Sequence, residues 1–151
     1  MCNEVLRLYP TVPVTIREAV RDTSISLKGG KEIIKVVKGT RVLVSPWATN
    51  RNPQIWGEDS ESFVPERWIG EGKSQNAGQA SNYSMITFLH GARACTGQGF
   101  ARGELKCLAA SIVGRFEVTM SDPNHPVYPA GVVTIKPGEG MPLRFKRIEG
   151  W

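Results

Sequence analysis

The chain has 151 residues, 40% of them hydrophobic and 22% charged, a balance typical of a folded domain rather than a disordered segment. Nineteen Lys and Arg against 14 Asp and Glu leave a net charge of +5, and two histidines with three cysteines offer little material for a zinc site. No stretch approaches the roughly 18 apolar residues of a membrane span, and no targeting segment is evident.

The first predicted element is a short helix in the segment MCNEVLRLYP. It should end near Tyr9, because Pro10 disfavours helical geometry in the residue before it. Two helical turns are marginal on their own, and Met1 leaves no room for an N-cap. We therefore expect the natural helix to begin upstream and the chain to be part of a longer protein.

A small antiparallel sheet is predicted over residues 23–46, where β-branched residues cluster as SISL, EIIKVV and TRVLVSP between GG and KG turn signals. The same region carries five basic residues, Lys28, Lys31, Lys35, Lys38 and Arg41. A solvated hairpin face is their simplest interpretation. Nucleic-acid binding would require interleaved exposed aromatics or a basic recognition helix, which the pattern does not show, whereas an acidic protein partner stays open.

The remaining elements are predicted from breaker residues and helical spacing. Residues 47–70 are expected to be irregular, and the polar stretch 70–84 to be a mobile surface loop. Apolar residues recur at helical spacing from Phe100 to Phe116, which predicts one long helix. The segment VYPAGVVTIKPGEGMPLRFKRI then predicts two short strands around a Gly/Pro turn.

Cys95 is the most tightly framed residue of the chain, in the segment FLHGARACTG. It precedes the long helix, whose N-terminal dipole, with Arg93, favours a thiolate. Gly91 and Gly97 allow the loop to lie against a large planar ligand. A buried structural cysteine, or a nucleophile with His90 as its base, is the alternative. Three cysteines are too few for the usual four-thiolate iron–sulfur cluster.

Two further motifs combine with this loop. Glu4 and Arg7 are neighbours on one helix face, and Arg67 lies in PERW, residues 65–68. EVLR, PERW and FLHGARACTG in this order resemble the signature of the cytochrome P450 superfamily, the haem-thiolate monooxygenases, in a eukaryotic and fungal style. The resemblance implies a mainly α fold with small antiparallel β-sheets. Residues 1–151 would form the C-terminal portion of one catalytic domain.

The resemblance also assigns residue roles around a haem. Cys95 is implied to be the axial ligand of the iron, where a thiolate favours O–O cleavage. Phe88 would pack beside that ligand, while Arg93 and Arg17 would pair with the haem propionates. Glu4, Arg7 and Arg67 would form a buried network beneath the loop. The substrate-lining positions would be Val12, Pro13, Val14, Thr15, Val132 and Val133, with Thr11 beside them.

The implied reaction inserts one oxygen atom from O2 into an apolar organic substrate. Its electrons would come from an NADPH-dependent flavoprotein reductase that meets Arg102 and Lys106, and the parent enzyme would belong to the endoplasmic reticulum. The family's oxygen-side acid and threonine would lie upstream, so this chain alone is expected to be inactive. The alternative is a non-catalytic remnant that binds haem weakly at most.

Overall fold

A computed structural model describes residues 1–71, 73, 77–79 and 81–150 of the chain. The backbone divides into two compact units, one formed by residues 1–13 together with residues from 46 onward, the other by residues 14–45. Part of the predicted mobile loop, at residues 72, 74–76 and 80, lies outside the described residues. In the described part of the chain, no helix is long and apolar enough to cross a membrane.

Four α-helices belong to the first unit: α1 (Cys2–Leu8), α2 (Pro46–Thr49), α3 (Pro53–Trp56) and α4 (Gln98–Arg115). Helix α1 ends as predicted, because Tyr9 leaves helical geometry before Pro10. The expectation that residues 47–70 are irregular was too simple. Two one-turn helices and a 3-10 turn at Pro65–Trp68 lie there, each beginning at a proline, whose fixed φ suits a first helical turn.

The long helix is confirmed, but it ends at Arg115, one residue before the predicted Phe116. Phe116 instead opens strand β5 (Phe116–Met120), which pairs antiparallel with the last strand, β8 (Leu143–Arg147). The predicted terminal hairpin is therefore only partly observed, because the last strand pairs with β5 and not with a strand of the same segment. The alternation of half-buried and exposed residues in β5 marks a strand, and Phe116 packs edge-on against Phe145 across the pair at 5.8 Å.

Two shorter strands, β6 (Pro129–Ala130) and β7 (Lys136–Pro137), form a small hairpin within the terminal region. Gly131 follows β6 with φ +146°, and a side chain there would collide with the carbonyl oxygen of Thr134. The backbone N–H of Ile135 donates to the carbonyl oxygen of Thr11 at 2.8 Å. The turn of this hairpin is thereby attached to the segment that follows α1.

The second unit contains strands β1 (Thr15–Glu18), β2 (Thr23–Leu27), β3 (Glu32–Val36) and β4 (Arg41–Val44). The predicted antiparallel pairing is observed, but it forms two separate pairs. Strand β2 pairs with β3, whereas β4 pairs with β1 rather than with its neighbour in sequence. Together with α4, these small antiparallel sheets confirm the predicted fold class of helices with small antiparallel sheets.

The buried centre of the first unit combines aromatic side chains with charge. Trp56, Trp68 and Met85 pack together, with the two indole rings 6.0 Å apart. Beside them lie the buried polar residues Glu4 and Arg7. Charged residues are almost never fully buried unless they are paired, so the stability of this centre depends on the hydrogen bonds that both side chains make.

Candidate functional site

Glu4 and Arg7 lie on consecutive turns of α1 and are both fully buried. The guanidinium of Arg7 grips the carboxylate of Glu4 with two bonds, from Nη2 to Oε1 at 2.7 Å and from Nε to Oε2 at 2.9 Å. This two-bond geometry is the strong form of an Arg–carboxylate pair. In the low dielectric of the interior, such a pair is stable only when its remaining polar atoms are also bonded.

The remaining donors of Arg7 bind backbone carbonyls of the segment that follows α2. Nη1 donates to the carbonyl oxygens of Asn50 at 2.8 Å and Ser60 at 2.5 Å, and Nη2 donates to that of Ser62 at 3.0 Å. One buried arginine thus holds residues 50–62, which include α3, against α1. The side chain of Arg7 satisfies backbone carbonyl groups that regular secondary structure would otherwise satisfy.

The carboxylate of Glu4 is equally occupied. It accepts from the Val64 N–H at 3.0 Å and from Nε1 of Trp68 at 2.8 Å, while Nε of Arg67 lies 3.5 Å away. Burial raises the pKa of Glu4, but hydrogen bonds from Arg7, Trp68 and Val64 outweigh it and leave the pKa below its ordinary value. The structure therefore brings Glu4, Arg7 and Arg67 together, and the carboxylate stays ionised.

Trp68 was missed as a member of this network, although it is the last letter of the PERW motif. Its indole N–H is a donor only, and a buried indole needs an acceptor, which the motif itself could have signalled. Arg67 binds on its other side to Asp59, with Nη2 2.6 Å from the carboxylate. This bond lowers the pKa of Asp59. Arg67 therefore joins the buried pair to an exposed acid.

Asn50 is a second residue that the sequence analysis missed. It is fully buried after α2, and its side chain bonds both to α1 and to residues 86 and 87, just before the predicted ligand loop. The segment TNRNP is typical of a polar turn, and nothing in it distinguishes a buried asparagine from an exposed one. Only the fold reveals the position.

The predicted ligand loop is closed by a backbone hydrogen bond from the N–H of Cys95 to the carbonyl oxygen of Phe88, at 2.8 Å. Two residues within it have left-handed geometry, Leu89 with φ +59° and Gly91 with φ +74°. For leucine this conformation is strained, and such strain persists only where the surrounding structure holds the backbone. The loop therefore has a defined backbone conformation, which includes a 3-10 turn at Gly91–Arg93.

Cys95 is exposed at the end of this loop, three residues before α4 begins. Its exposure argues against the alternative of a buried structural cysteine. Gly97 lies beside the sulfur, and a Cβ atom at that position would stand 3.9 Å from Sγ. Arg93 is exposed on the same loop. An accessible sulfur and an accessible guanidinium therefore share one short turn.

His90 is engaged away from the cysteine. Its ring packs against Tyr83 at 4.9 Å, and its Nε2 lies 3.4 Å from the carbonyl oxygen of Met85. Among the contacts of the described residues, none joins His90 to Cys95. A nucleophile needs its base within hydrogen-bond reach, so this arrangement disfavours the thiol–imidazole alternative.

The residues around Cys95 fit a haem by the chemistry of their donors. The described residues contain no group of three or more His, Cys, Asp or Glu side chains that could hold a bare metal ion. An exposed single thiol can act as a lasting metal ligand when the metal brings its other ligands, as iron does in a porphyrin. Arg93 adds a cation of the kind that pairs with a propionate.

Arg102, on the first turns of α4, packs against the loop. Its guanidinium carbon lies 5.6 Å from the ring centre of Phe88, and burial lowers its pKa. The two residues line a cavity of about 200 Å³ together with Gln98 and His90. Lys106, one turn further along α4, is exposed. Of the two predicted partner-facing cations, Lys106 is thus the more accessible.

The other predicted haem and substrate residues are distributed over both units. Arg17 lies exposed on β1, where its Nη1 donates to Oγ1 of Thr15 at 2.9 Å, and Val14 and Thr15 belong to the same unit. In the first unit, Val12, Val132 and Val133 are exposed and Pro13 is half-buried. The Thr11–Ile135 hydrogen bond brings these two predicted substrate segments together.

An apolar cavity of about 420 Å³ lies beside those segments, between α1 and the small hairpin. Val5 and Tyr9 line it on the helix side, and Tyr128, Ile135 and Met141 line it on the other. The sequence analysis did not predict this cavity. Its lining residues are separated by more than 100 positions, so no local pattern could have connected them.

Comparison with known proteins is consistent with this geometry. The profile of the family described as Cytochrome P450 matches residues 1–142. The cytochrome P450 monooxygenase sphH of Aspergillus fumigatus is 44% identical across the whole chain, which covers 27% of that relative. The cytochrome P450 monooxygenase ptmK of Penicillium ochrochloron is 36% identical over 97% of the chain, which covers 28% of its length. The chain thus spans a little over a quarter of these relatives.

Proposed function

This chain belongs to the cytochrome P450 family, whose members depend on haem, and from that premise we propose that it supplies the thiolate ligand of a haem monooxygenase. Cys95 would hold the haem iron through its sulfur. The chain would form the C-terminal portion of the catalytic domain, an assignment supported by the order of its three motifs. Bound haem would supply the activation of O2 for insertion of one oxygen atom into an organic substrate.

The observation that carries the proposal is the exposed sulfur of Cys95 on a turn closed by the Phe88–Cys95 hydrogen bond. The loop presents the thiol three residues before the N-terminus of α4. Gly91 and Gly97 place no side chain at two positions of the loop, and the Phe88 carbonyl oxygen fixes the backbone at Cys95. Arg93 would neutralise a haem propionate, and the same role for Arg17 rests on the family resemblance alone.

The substrate would be an apolar organic molecule. The proposed contact residues Val12, Pro13, Val14, Val132 and Val133 are aliphatic, and only Thr15, with Thr11 nearby, adds a hydroxyl. In the first unit, the exposed valines stand on two segments that a hydrogen bond holds side by side. An endoplasmic-reticulum location and an NADPH-dependent flavoprotein reductase belong to the same proposal.

The thiolate assignment can be tested on the haem-loaded, full-length protein after reduction and exposure to carbon monoxide. We expect a thiolate-type Soret band that Cys95→Ala abolishes. Cys107→Ala is the matched control, because Cys107 is also exposed and lies twelve positions away on α4. A thiolate-type band that survives Cys95→Ala, or that disappears in Cys107→Ala, would refute the assignment.

The proposed electron donor is the flavoprotein reductase, which would meet α4 through an acidic surface. Lys106→Glu reverses an exposed charge there, and it should slow the first reduction at low ionic strength, with a smaller difference in high salt. Lys146→Glu is the control, because it makes the same charge change on β8, where Lys146 is 85% exposed. Equal reduction rates for both variants and the unmodified protein would exclude this surface.

A further inference from the structure

We propose that Asn50 is a positioning residue for the haem-ligand loop, an inference that rests on the proposed role of Cys95. Asn50 is fully buried and follows α2 directly. Its side chain bonds α1 on one side and the residues leading into the loop on the other. It would therefore carry the rigidity of the buried network to the residue that holds the iron.

The hydrogen bonds of the Asn50 amide have fixed directions. Nδ2 donates to the carbonyl oxygen of Arg7 at 3.1 Å and to Oγ1 of Thr87 at 2.8 Å, while Oδ1 accepts from the N–H of Ile86 at 2.9 Å. The Thr87 hydroxyl donates to the carbonyl oxygen of Leu6 at 2.7 Å, so it can only accept from Asn50. Two donors and one acceptor are required at one place, which an amide provides and a carboxylate does not.

A short series of bonded groups leads from this amide to Cys95. Ile86 and Thr87, which Asn50 holds, directly precede Phe88, whose carbonyl oxygen accepts from the Cys95 N–H at 2.8 Å. Ile86 also accepts from the N–H of Leu89, the strained residue of the turn, at 2.9 Å. Displacement of residues 86 and 87 would therefore move the carbonyl that orients the ligand backbone.

The same asparagine is bound to the charged centre. Its own carbonyl oxygen accepts from Nη1 of Arg7 at 2.8 Å, and Arg7 is paired with Glu4. Hydrogen bonds around a ligand residue orient it and tune its basicity, and their loss is felt at the metal. Asn50 thus links the Glu4–Arg7 pair to the residues that lead into the ligand loop, beside the direct bond from Thr87 to Leu6.

The experiment compares Asn50→Asp and Asn50→Ala with Asn52→Ala. Asn52 is a suitable control because it lies two positions away and its side chain caps α3 by accepting from the Gln54 N–H. In haem-free protein, amide hydrogen exchange at Ile86 should become about tenfold faster in Asn50→Ala, because the Ile86 N–H loses its acceptor, and exchange at Cys95 should rise with it as residues 86–88 loosen. Asn50→Asp keeps an acceptor for Ile86 but loses both donors, so its effect should be smaller at Ile86. Amides of the β5–β8 pair should keep their rates and report on global stability.

In the haem-loaded, full-length protein, the reduced carbon monoxide complex should shift from the thiolate-type band towards a thiol-type band in the Asn50 variants, but not in Asn52→Ala. Thr87→Val removes the bonds of Thr87 to Asn50 and Leu6 but leaves the Asn50–Ile86 bond, and it should act in the same direction. Thr87→Ser keeps the hydroxyl and should behave like the unmodified protein. This second pair also serves if an Asn50 variant does not fold.

Two results would overturn the positioning role. One is that the Asn50 variants show the same exchange rates at Ile86 and Cys95 as Asn52→Ala, together with an unchanged carbon monoxide band. The other is equal acceleration of the β5–β8 amides, which would make the effect a general loss of stability. Failure of the proposed function would be seen separately, as a thiolate-type band that survives Cys95→Ala. The exchange experiment on the haem-free protein does not depend on that result.

Discussion

Two glutamate–arginine pairs of this protein have the same chemistry and opposite surroundings. Glu4 and Arg7 are both 0% exposed and meet at 2.7 Å in the first unit. Glu18 and Arg41, on β1 and β4 of the second unit, are 57% and 77% exposed and meet at 3.3 Å. Water screens the second pair, whereas the first depends on protein partners for every bond. Surroundings, and not the residue types, decide what such a pair contributes.

The second unit extends this contrast. Residues 14–45 carry seven Lys and Arg against three Asp and Glu, a net of +4 out of the +5 of the whole chain. Every described residue of β2, and all of β3 except Val36, is exposed. The first unit concentrates a few charges in its interior, while the second displays most of the net charge to solvent.

The largest expected effect comes from Glu4→Ala, which leaves Arg7 buried without its carboxylate. We expect a loss of about 3–5 kcal/mol in the free energy of unfolding. Because Arg7 holds residues 50–62 against α1, haem incorporation should also be abolished. Chemical denaturation and haem titration measure the two effects. A loss below about 1 kcal/mol would show that the buried pair behaves like a surface pair.

Trp68→Phe removes one bond to the same carboxylate and keeps most of the packing. The matched variant is Trp56→Phe, because the Trp56 indole donates to a neutral acceptor, the carbonyl oxygen of Ser84 at 3.2 Å. Bonds to charged groups are worth about 1.5–3 kcal/mol and neutral bonds about 0.5–1.5 kcal/mol. Trp68→Phe should therefore be the more destabilising in urea unfolding. The reverse order would mean that the carboxylate does not need the indole.

Acid should weaken the first unit through Glu4. Its pKa is lowered in the folded state by hydrogen bonds that outweigh burial. The stabilisation is thus fully present above the ordinary glutamate pKa of about 4.3 and is lost as the pH falls through the lowered folded value. Unfolding at a series of acidic pH values measures the slope. Asp59→Asn should retain this slope at least in part, and a complete loss in that variant would assign the acid sensitivity to Asp59 instead.

Glu18→Ala should have the smallest effect, a change of about 0.2–1 kcal/mol that declines in salt. The measurement is the same denaturation at low and high ionic strength. A loss comparable to that of Glu4→Ala would remove the distinction between the two pairs.

Features that depend on neighbouring residues could be predicted from the sequence. Pro10 ends α1, and the apolar spacing before Phe116 predicts α4. Which residues of α4 are exposed could not be predicted in the same way. Phe100, on the first turn of the helix, is apolar and yet 77% exposed. Spacing specifies a helical face, but the residues that would cover it lie elsewhere in a fold.

Features that depend on distant residues could not be predicted locally. Strand β8 could pair with several partners of similar pattern, and only the fold selects β5. The grouping of Glu4, Arg7 and Arg67 was expected through family resemblance, because their spacing alone predicts a weak surface pair. The amides and carbonyls that complete the network, above all at Asn50, carry no sequence signal.

The central claim is that the sulfur of Cys95 bonds the iron. X-ray absorption at the iron edge of the haem-loaded, full-length protein tests it most directly, because it counts the sulfur neighbours of the metal. The account predicts one sulfur neighbour in the unmodified protein and in Cys107→Ala, and none in Cys95→Ala. A sulfur neighbour that persists in Cys95→Ala would contradict it.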